Sequence, residues 1–173
     1  MTLADDIALF SAITLFEDFP PEQLRMLAFG SRRQFLRGGE VLFLAGDPSD
    51  GGYVVVTGQI DLSVRAGETE KLLASQLAGS LIGEAALVTA NRRASDAVAR
   101  TNAELIFVPR DLFRRMLQEY PELAATLHAR LAATVRGMMR QMSGVSETMR
   151  AIPNLTAQQE ARHDLLIGDE AEE

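Results

Sequence analysis

Residues 53–67 read YVVVTGQIDLSVRAG. Tyr53 to Val56 is a short apolar, largely β-branched run, and Thr57-Gly58 marks a turn. Ile60, Leu62 and Val64 then alternate with Asp61, Ser63 and Arg65 until Gly67 turns the chain again. Strict alternation is the two-residue period of a strand with one buried face, and a glycine-containing pair between two such runs is hairpin punctuation. The pattern repeats outward in both directions. Gln34 to Leu36 precedes Gly38-Gly39, Val41 to Leu44 precedes Gly46-Asp47-Pro48, and Leu72 to Leu77 ends at Gly79. Ala97 to Arg100 and Ala103 to Val108 complete the set. Runs spaced about ten residues apart with repeated turn signals predict an all-β sandwich or barrel of about eight strands over residues 31–109.

Helical spacing flanks this β region. In residues 1–30, Leu3, Ile7, Phe10 and Leu15 share a loose helical spacing. Pro20-Pro21 starts a second helix in which Leu24, Leu27 and Ala28 repeat at three and four, and Gly30 ends it. Over residues 110–152, Leu112, Phe113, Met116 and Leu117 form one apolar stripe. Pro121 then opens a longer helix reaching toward Arg150. That helix carries a heptad-like seam through Ala124, Leu131, Met138, Val145 and Ile152, and through His128, Val135, Met142 and Met149. This spacing favours a contact with a second helix, so a homodimer through residues 121–152 is expected. Residues 153–173 turn polar and then acidic, as a flexible tail would.

Composition narrows the function. The chain has 173 residues, 47% apolar and 24% charged, which suits one globular domain with extensions. No apolar run is long enough for a membrane helix, no secretory leader is recognisable, and cysteine is absent. Cytoplasmic localisation is expected. The two histidines, His128 and His163, lie outside the β region, so a histidine metal centre, a cupin-type site or a haem site there is excluded. No serine–histidine or cysteine pairing suits nucleophilic catalysis. We therefore expect no catalytic residue, no metal, no cofactor and no enzymatic activity. Net charge is −7 and no basic run occurs, which disfavours direct nucleic-acid binding.

One segment interrupts the β pattern. Residues 81–96 read LIGEAALVTANRRASD. Gly83 lets main chain approach a ligand closely. A helix beginning at Glu84 leaves its first N–H groups, at Ala85 and Ala86, open for a phosphate. Arg93, nine residues beyond Glu84, can add a charge-assisted contact to the same anion. Glu84 can accept from a sugar hydroxyl while lying near the arginine, and Ala85, Ala86 and Ala94 keep bulk away. These are the parts that hold a ribose joined to a phosphate.

The segment resembles the phosphate-binding cassette of cyclic nucleotide-binding domains, the family of the cAMP-dependent protein kinase regulatory subunits, the catabolite activator proteins and the cyclic-nucleotide-gated channels. The family pattern is roughly F-G-E-[LM]-A-L followed after a few residues by P-R-[AST]-A-[TS]. This chain has Ile82-Gly83-Glu84-Ala85-Ala86-Leu87, then Arg92-Arg93-Ala94-Ser95-Asp96. Gly46 to Gly58 is similar to the family's G-[DE]-x-x-D-x-x-Y-x-[VI]-x-x-G stretch, and Arg100 to Leu117 to its last strand and following helix. The likeness spans about Phe16 to Met142. Lys71 is the lone lysine among many arginines, which points to a GC-rich bacterial genome, and the resemblance is to a bacterial stand-alone member.

The resemblance implies an eight-stranded antiparallel jelly-roll β-barrel with flanking helices. It also implies a cyclic nucleotide sensor whose C-terminal helices move on binding and act on a downstream protein. Glu84 would bind the ribose 2′-hydroxyl and Arg93 the exocyclic phosphate oxygens. Gly83 would offer its carbonyl, and Ile82, Ala85, Ala86, Ala94 and Ser95 would supply N–H groups or close contacts. Val135, Arg136 or Met139 would cover the base. Ala94 lacks the hydroxyl that guanine-preferring members place after the arginine, which leans toward cAMP over cGMP. Ile82, Ala85, Arg92 and Asp96 depart from the pattern. The alternatives are a dimerising scaffold that binds no nucleotide, and a fragment of a catabolite-activator-type regulator lacking its DNA-binding domain.

Overall fold

The computed structural model describes residues 2–67 and 69–129. Helix α1 (Leu3–Ser11) starts at a capping box. The Thr2 hydroxyl accepts from the Asp5 N–H, and the Asp5 carboxylate accepts from the Thr2 N–H at 2.6 Å. The helix stops at Ser11, so Leu15 lies in the turns that follow rather than on the predicted stripe. Helix α2 (Pro21–Gly30) begins with proline in its first turn, as expected.

Eight strands follow: β1 (Arg32–Leu36), β2 (Val41–Phe43), β3 (Gly51–Thr57), β4 (Gln59–Ala66), β5 (Thr69–Leu77), β6 (Leu81–Ile82), β7 (Asp96–Ala99) and β8 (Ala103–Pro109). Helix α3 (Ala85–Val88) sits between β6 and β7, and α4 (Arg110–Glu119) follows β8. The strands pair antiparallel into two sheets of four, ordered β1-β8-β3-β6 and β2-β7-β4-β5. Consecutive strands β1 to β4 thus switch sheets in the manner of a jelly roll, the expected fold class.

Two cores explain the strand patterns. Between the sheets lie Val55, Ile60, Ile82, Ala97, Ala99 and Leu105, with Phe43, Tyr53 and Leu62 packed beside them. Outside the first sheet, a helical core gathers Phe10, Phe16, Phe19, Leu24, Leu27, Phe113 and Met116 against Val54, Val56, Ile106 and Val108. Strands β3 and β8 therefore bury both faces, which is why Tyr53–Val56 and Leu105–Val108 are continuous apolar runs. Strand β4 alternates because its second face is the outside of the other sheet. At the β3–β4 turn Gly58 has φ +85°, and a Cβ there would overlap the Asn102 carbonyl, so the turn needs glycine.

After α4 the chain continues as helix over 121–129. It buries Leu123 and Leu127, one residue off the seam through Ala124 and His128. The remainder of that expected helix, the residues Val135, Arg136 and Met139, the homodimer contact and the segment 153–173 lie outside the described residues. Among the described residues no helix is long and apolar enough to cross a membrane, and no three metal-binding side chains gather.

Candidate functional site

Strand β6 ends at Ile82, and Gly83, at φ +77°, turns the chain into α3. The first turn is tight. The Gly83 carbonyl accepts from the Ala86 N–H at 2.9 Å, the Glu84 carbonyl from Leu87 at 3.1 Å and the Ala85 carbonyl from Thr89 at 3.0 Å. Ala86 therefore has no free N–H, contrary to the sequence expectation, because a four-residue helix closes its first turn with an i→i+3 bond. The N–H groups of Glu84 and Ala85 have no partners among the described residues. Buried Leu87 roots α3 in the helical core.

Arg93 arrives on a segment pinned by the β2–β3 loop. Gly46 N–H donates to the Arg93 carbonyl at 2.8 Å, Arg93 N–H to Asp47 at 2.9 Å and Ser49 N–H to Asn91 at 3.0 Å. Pro48 and Arg92 form an antiparallel bridge, and Arg92 donates to the Gly46 carbonyl at 2.7 Å. The Arg93 side chain turns inward and is only 7% exposed. Its Nη2 donates to the Gly51 carbonyl at 2.9 Å. Its buried Nη1 has no hydrogen-bond partner among the described residues. Burial holds the guanidinium pKa below its ordinary value. Nη1 lies against Gly83, where any Cβ would overlap it.

Arg93 lines a pocket of about 220 Å³, together with Ile82, Gly83, Ala85, Ala86, Ala94 and Ser95 of the predicted set. The eighth predicted residue, Glu84, is not in the lining. It is exposed, and its side chain forms no hydrogen bond or ion pair among the described residues. The expected closeness of Glu84 to Arg93 is thus absent as an ion pair. Glu84 takes helical dihedrals of φ −49° and ψ −46° after the Gly83 turn, and its carboxylate lies in solvent. Asp96, which departs from the family pattern, accepts from the Ala45 N–H at 2.7 Å. It lines a groove with Val41 and Val98, not the Arg93 pocket.

Sequence reasoning missed four contributors. Phe43 lines the pocket, and its ring centre lies 4.3 Å from Arg93 Cζ. Tyr53 is 5.4 Å away, half-buried, with its phenol pKa raised by burial. Gly51 supplies the carbonyl that orients Arg93. Arg110, at the start of α4, donates Nε to the Ala86 carbonyl at 2.8 Å and Nη2 to the Ser49 carbonyl. Its own N–H bonds the Asp50 carbonyl at 2.8 Å. None carries a local signal, since each acts across at least 24 residues of chain.

Chemically, the pocket offers an unpaired buried cation beside open main-chain amides and small side chains. Such a set receives an anion.

Comparison with known proteins agrees with this chemistry. The family model described as "Cyclic nucleotide-binding domain" matches residues 33–120. The solved structure of a cyclic nucleotide-binding-like protein from Brucella abortus is 41% identical. It covers 66% of this chain and 98% of its own, with a TM-score of 0.61. The cyclic AMP receptor protein of Thermus thermophilus is 29% identical over 123 residues, 70% of this chain and 57% of that protein. Lysophospholipase NTE1 of Saccharomyces cerevisiae is 32% identical over 114 residues, 59% of this chain and 7% of that protein. The chain thus spans less than two thirds of these two curated relatives.

Proposed function

This chain belongs to the family of cyclic nucleotide-binding domains, and from that membership we propose that the Arg93 pocket binds a cyclic nucleotide, cAMP in preference to cGMP, and passes its occupancy to the C-terminal helices. The exocyclic phosphate oxygens take Arg93 Nη1 and the Ala85 N–H. Ile82, Ala94 and Ser95 line the pocket around the phosphate. Glu84, exposed and outside the lining, reaches the ribose 2′-hydroxyl once the sugar enters. Ala94 offers no hydroxyl to a guanine amine, which supports the adenine preference.

The observation that carries this reading is the buried Arg93 Nη1, which has no hydrogen-bond partner among the described residues. Leaving a buried charged donor without a protein partner is costly, and an anion in the adjoining pocket removes that cost. The protein on this reading is a sensor, not an enzyme. The yeast lysophospholipase shares only 7% of its length with this chain, so we read the shared segment as a binding module. We also read the chain as a cytoplasmic homodimer formed through the helix from Pro121 and acting on a downstream protein. The heptad spacing from Ala124 to Ile152 supports the dimer.

Isothermal titration calorimetry tests the proposal. cAMP should bind more tightly than cGMP, and Arg93→Ala should weaken cAMP by about 10- to 150-fold, the loss of one charge-assisted contact of about 1.5–3 kcal/mol. Absence of heat with either nucleotide at millimolar concentration would overturn it and leave a scaffold.

A further inference from the structure

Arg93 is buried, yet it enters no ion pair among the described residues. A buried guanidinium normally finds a carboxylate. Here it is held by the Gly51 carbonyl, the Phe43 ring at 4.3 Å and the Tyr53 side chain at 5.4 Å from Cζ, while Asp50 and Asp47 act on it from beyond ion-pair distance. The difference matters for binding. A carboxylate would neutralise the cation and compete with an incoming anion, whereas an aromatic face attracts the cation through its quadrupole and leaves its charge available.

The bracket is itself held. The Phe43 and Tyr53 rings lie 6.0 Å apart at 32°, and Phe107 backs Tyr53 at 5.0 Å. Phe43 faces small Ala97 across the β2–β7 ladder, and the register shifts between Val41 and Phe43. Such an irregularity re-aims a side chain, and this one is associated with a phenyl ring beside the guanidinium and in the pocket wall.

We infer that Phe43 is a positioning residue. With Tyr53 it clamps the Arg93 guanidinium in plane without discharging it, so that Nη1 is presented to the ligand phosphate. The inference rests on the reading of the pocket as a cyclic nucleotide site, and it assigns to an apolar strand residue a role in anion affinity. Phe43 acts through Arg93 and not on the ligand.

A double-mutant cycle on the full chain separates these roles. cAMP affinity is measured calorimetrically for the wild type, Phe43→Leu, Arg93→Lys and the double variant. Arg93→Lys keeps the charge and removes the planar face that stacks. Phe43→Leu should weaken cAMP about tenfold beside Arg93 and less than about twofold beside lysine, and Phe43→Tyr should restore binding to within about threefold. An equal loss in both backgrounds, or no loss in either, overturns the inference. A ligand-free arm uses the Arg93 Nε–Hε resonance in ¹⁵N-arginine-labelled protein, assigned by its disappearance in Arg93→Lys. Ring current should shift it upfield of the other arginines, and Phe43→Leu should return it. If the wild type binds no cyclic nucleotide, the functional reading fails while this resonance still decides the clamp. An unchanged shift in Phe43→Leu overturns it.

Discussion

Gly83 is opposed twice to any side chain. Its φ of +77° lies in the region that residues with a Cβ rarely adopt, and the Cβ would overlap Arg93 Nη1. Gly83→Ala should therefore lower stability by about 1–3 kcal/mol in thermal or urea denaturation and weaken cAMP at least about tenfold by displacing the guanidinium. A variant that melts as wild type and binds as wild type would show that the turn and the arginine are not in register. At this scale the sequence was informative about identity and less so about geometry. Seven of the eight proposed site residues converge on the pocket because a glycine turn, a short alanine helix and an arginine nine residues on are local features. The position of Glu84 in solvent, the Ala86 N–H spent on Gly83 and the aromatic walls were not legible. They depend on where a four-residue helix closes its first turn and on contacts from strands 30 or more residues earlier.

Among the elements, α3 and α4 share the helical core through Leu87, Phe113 and Met116, and one polar side chain ties them as well. Arg110 begins α4 and donates to the Ala86 carbonyl in α3 and the Ser49 carbonyl in the β2–β3 loop, the same loop that pins Arg93. On the proposed reading, movement of the cassette on binding would act on the start of α4 through this tie. Arg110→Met removes the donors but keeps most of the length of the stem. It should leave cAMP affinity within about threefold, because Arg110 is not among the groups proposed to touch the ligand and the net worth of a hydrogen bond is small. It should also abolish the ligand-dependent change in hydrogen-exchange protection across residues 110–119. Retention of that change would place the coupling elsewhere. The elements themselves differ in how plainly the sequence announces them. Alternation marks β4, and the two apolar runs mark β3 and β8, whose double burial has no period to show. Strand β6 was missed because two residues, Leu81 and Ile82, carry no periodicity and are recognised as a strand only by pairing with Tyr53 and Val54.

For the molecule as a whole, β3 and β8 are the common floor of both cores, with Val55 and Leu105 on the barrel side and Val54, Val56, Ile106 and Val108 on the helical side. The sandwich class follows from the spacing of turns, but the order β1-β8-β3-β6 does not, since hydrophobic pattern fixes which face is buried and not which strand lies beside which. The shared floor predicts that residues 2–129 unfold in a single transition. The chain has two tyrosines and no tryptophan, which makes the prediction measurable. Tyr53 packs on the barrel core and Tyr120 on the helical core, so Tyr120→Phe and Tyr53→Phe leave one fluorescent probe in each. The two melts should coincide. Leu105→Ala in the barrel core and Phe113→Ala in the helical core should each shift both probes together, by about 2–5 and 3–5 kcal/mol respectively. If Phe113→Ala moved the Tyr120 transition while the Tyr53 transition stayed in place, the helices would be a separate cooperative unit. A ligand signal entering at α3 would then reach α4 by local unfolding instead of through a rigid floor.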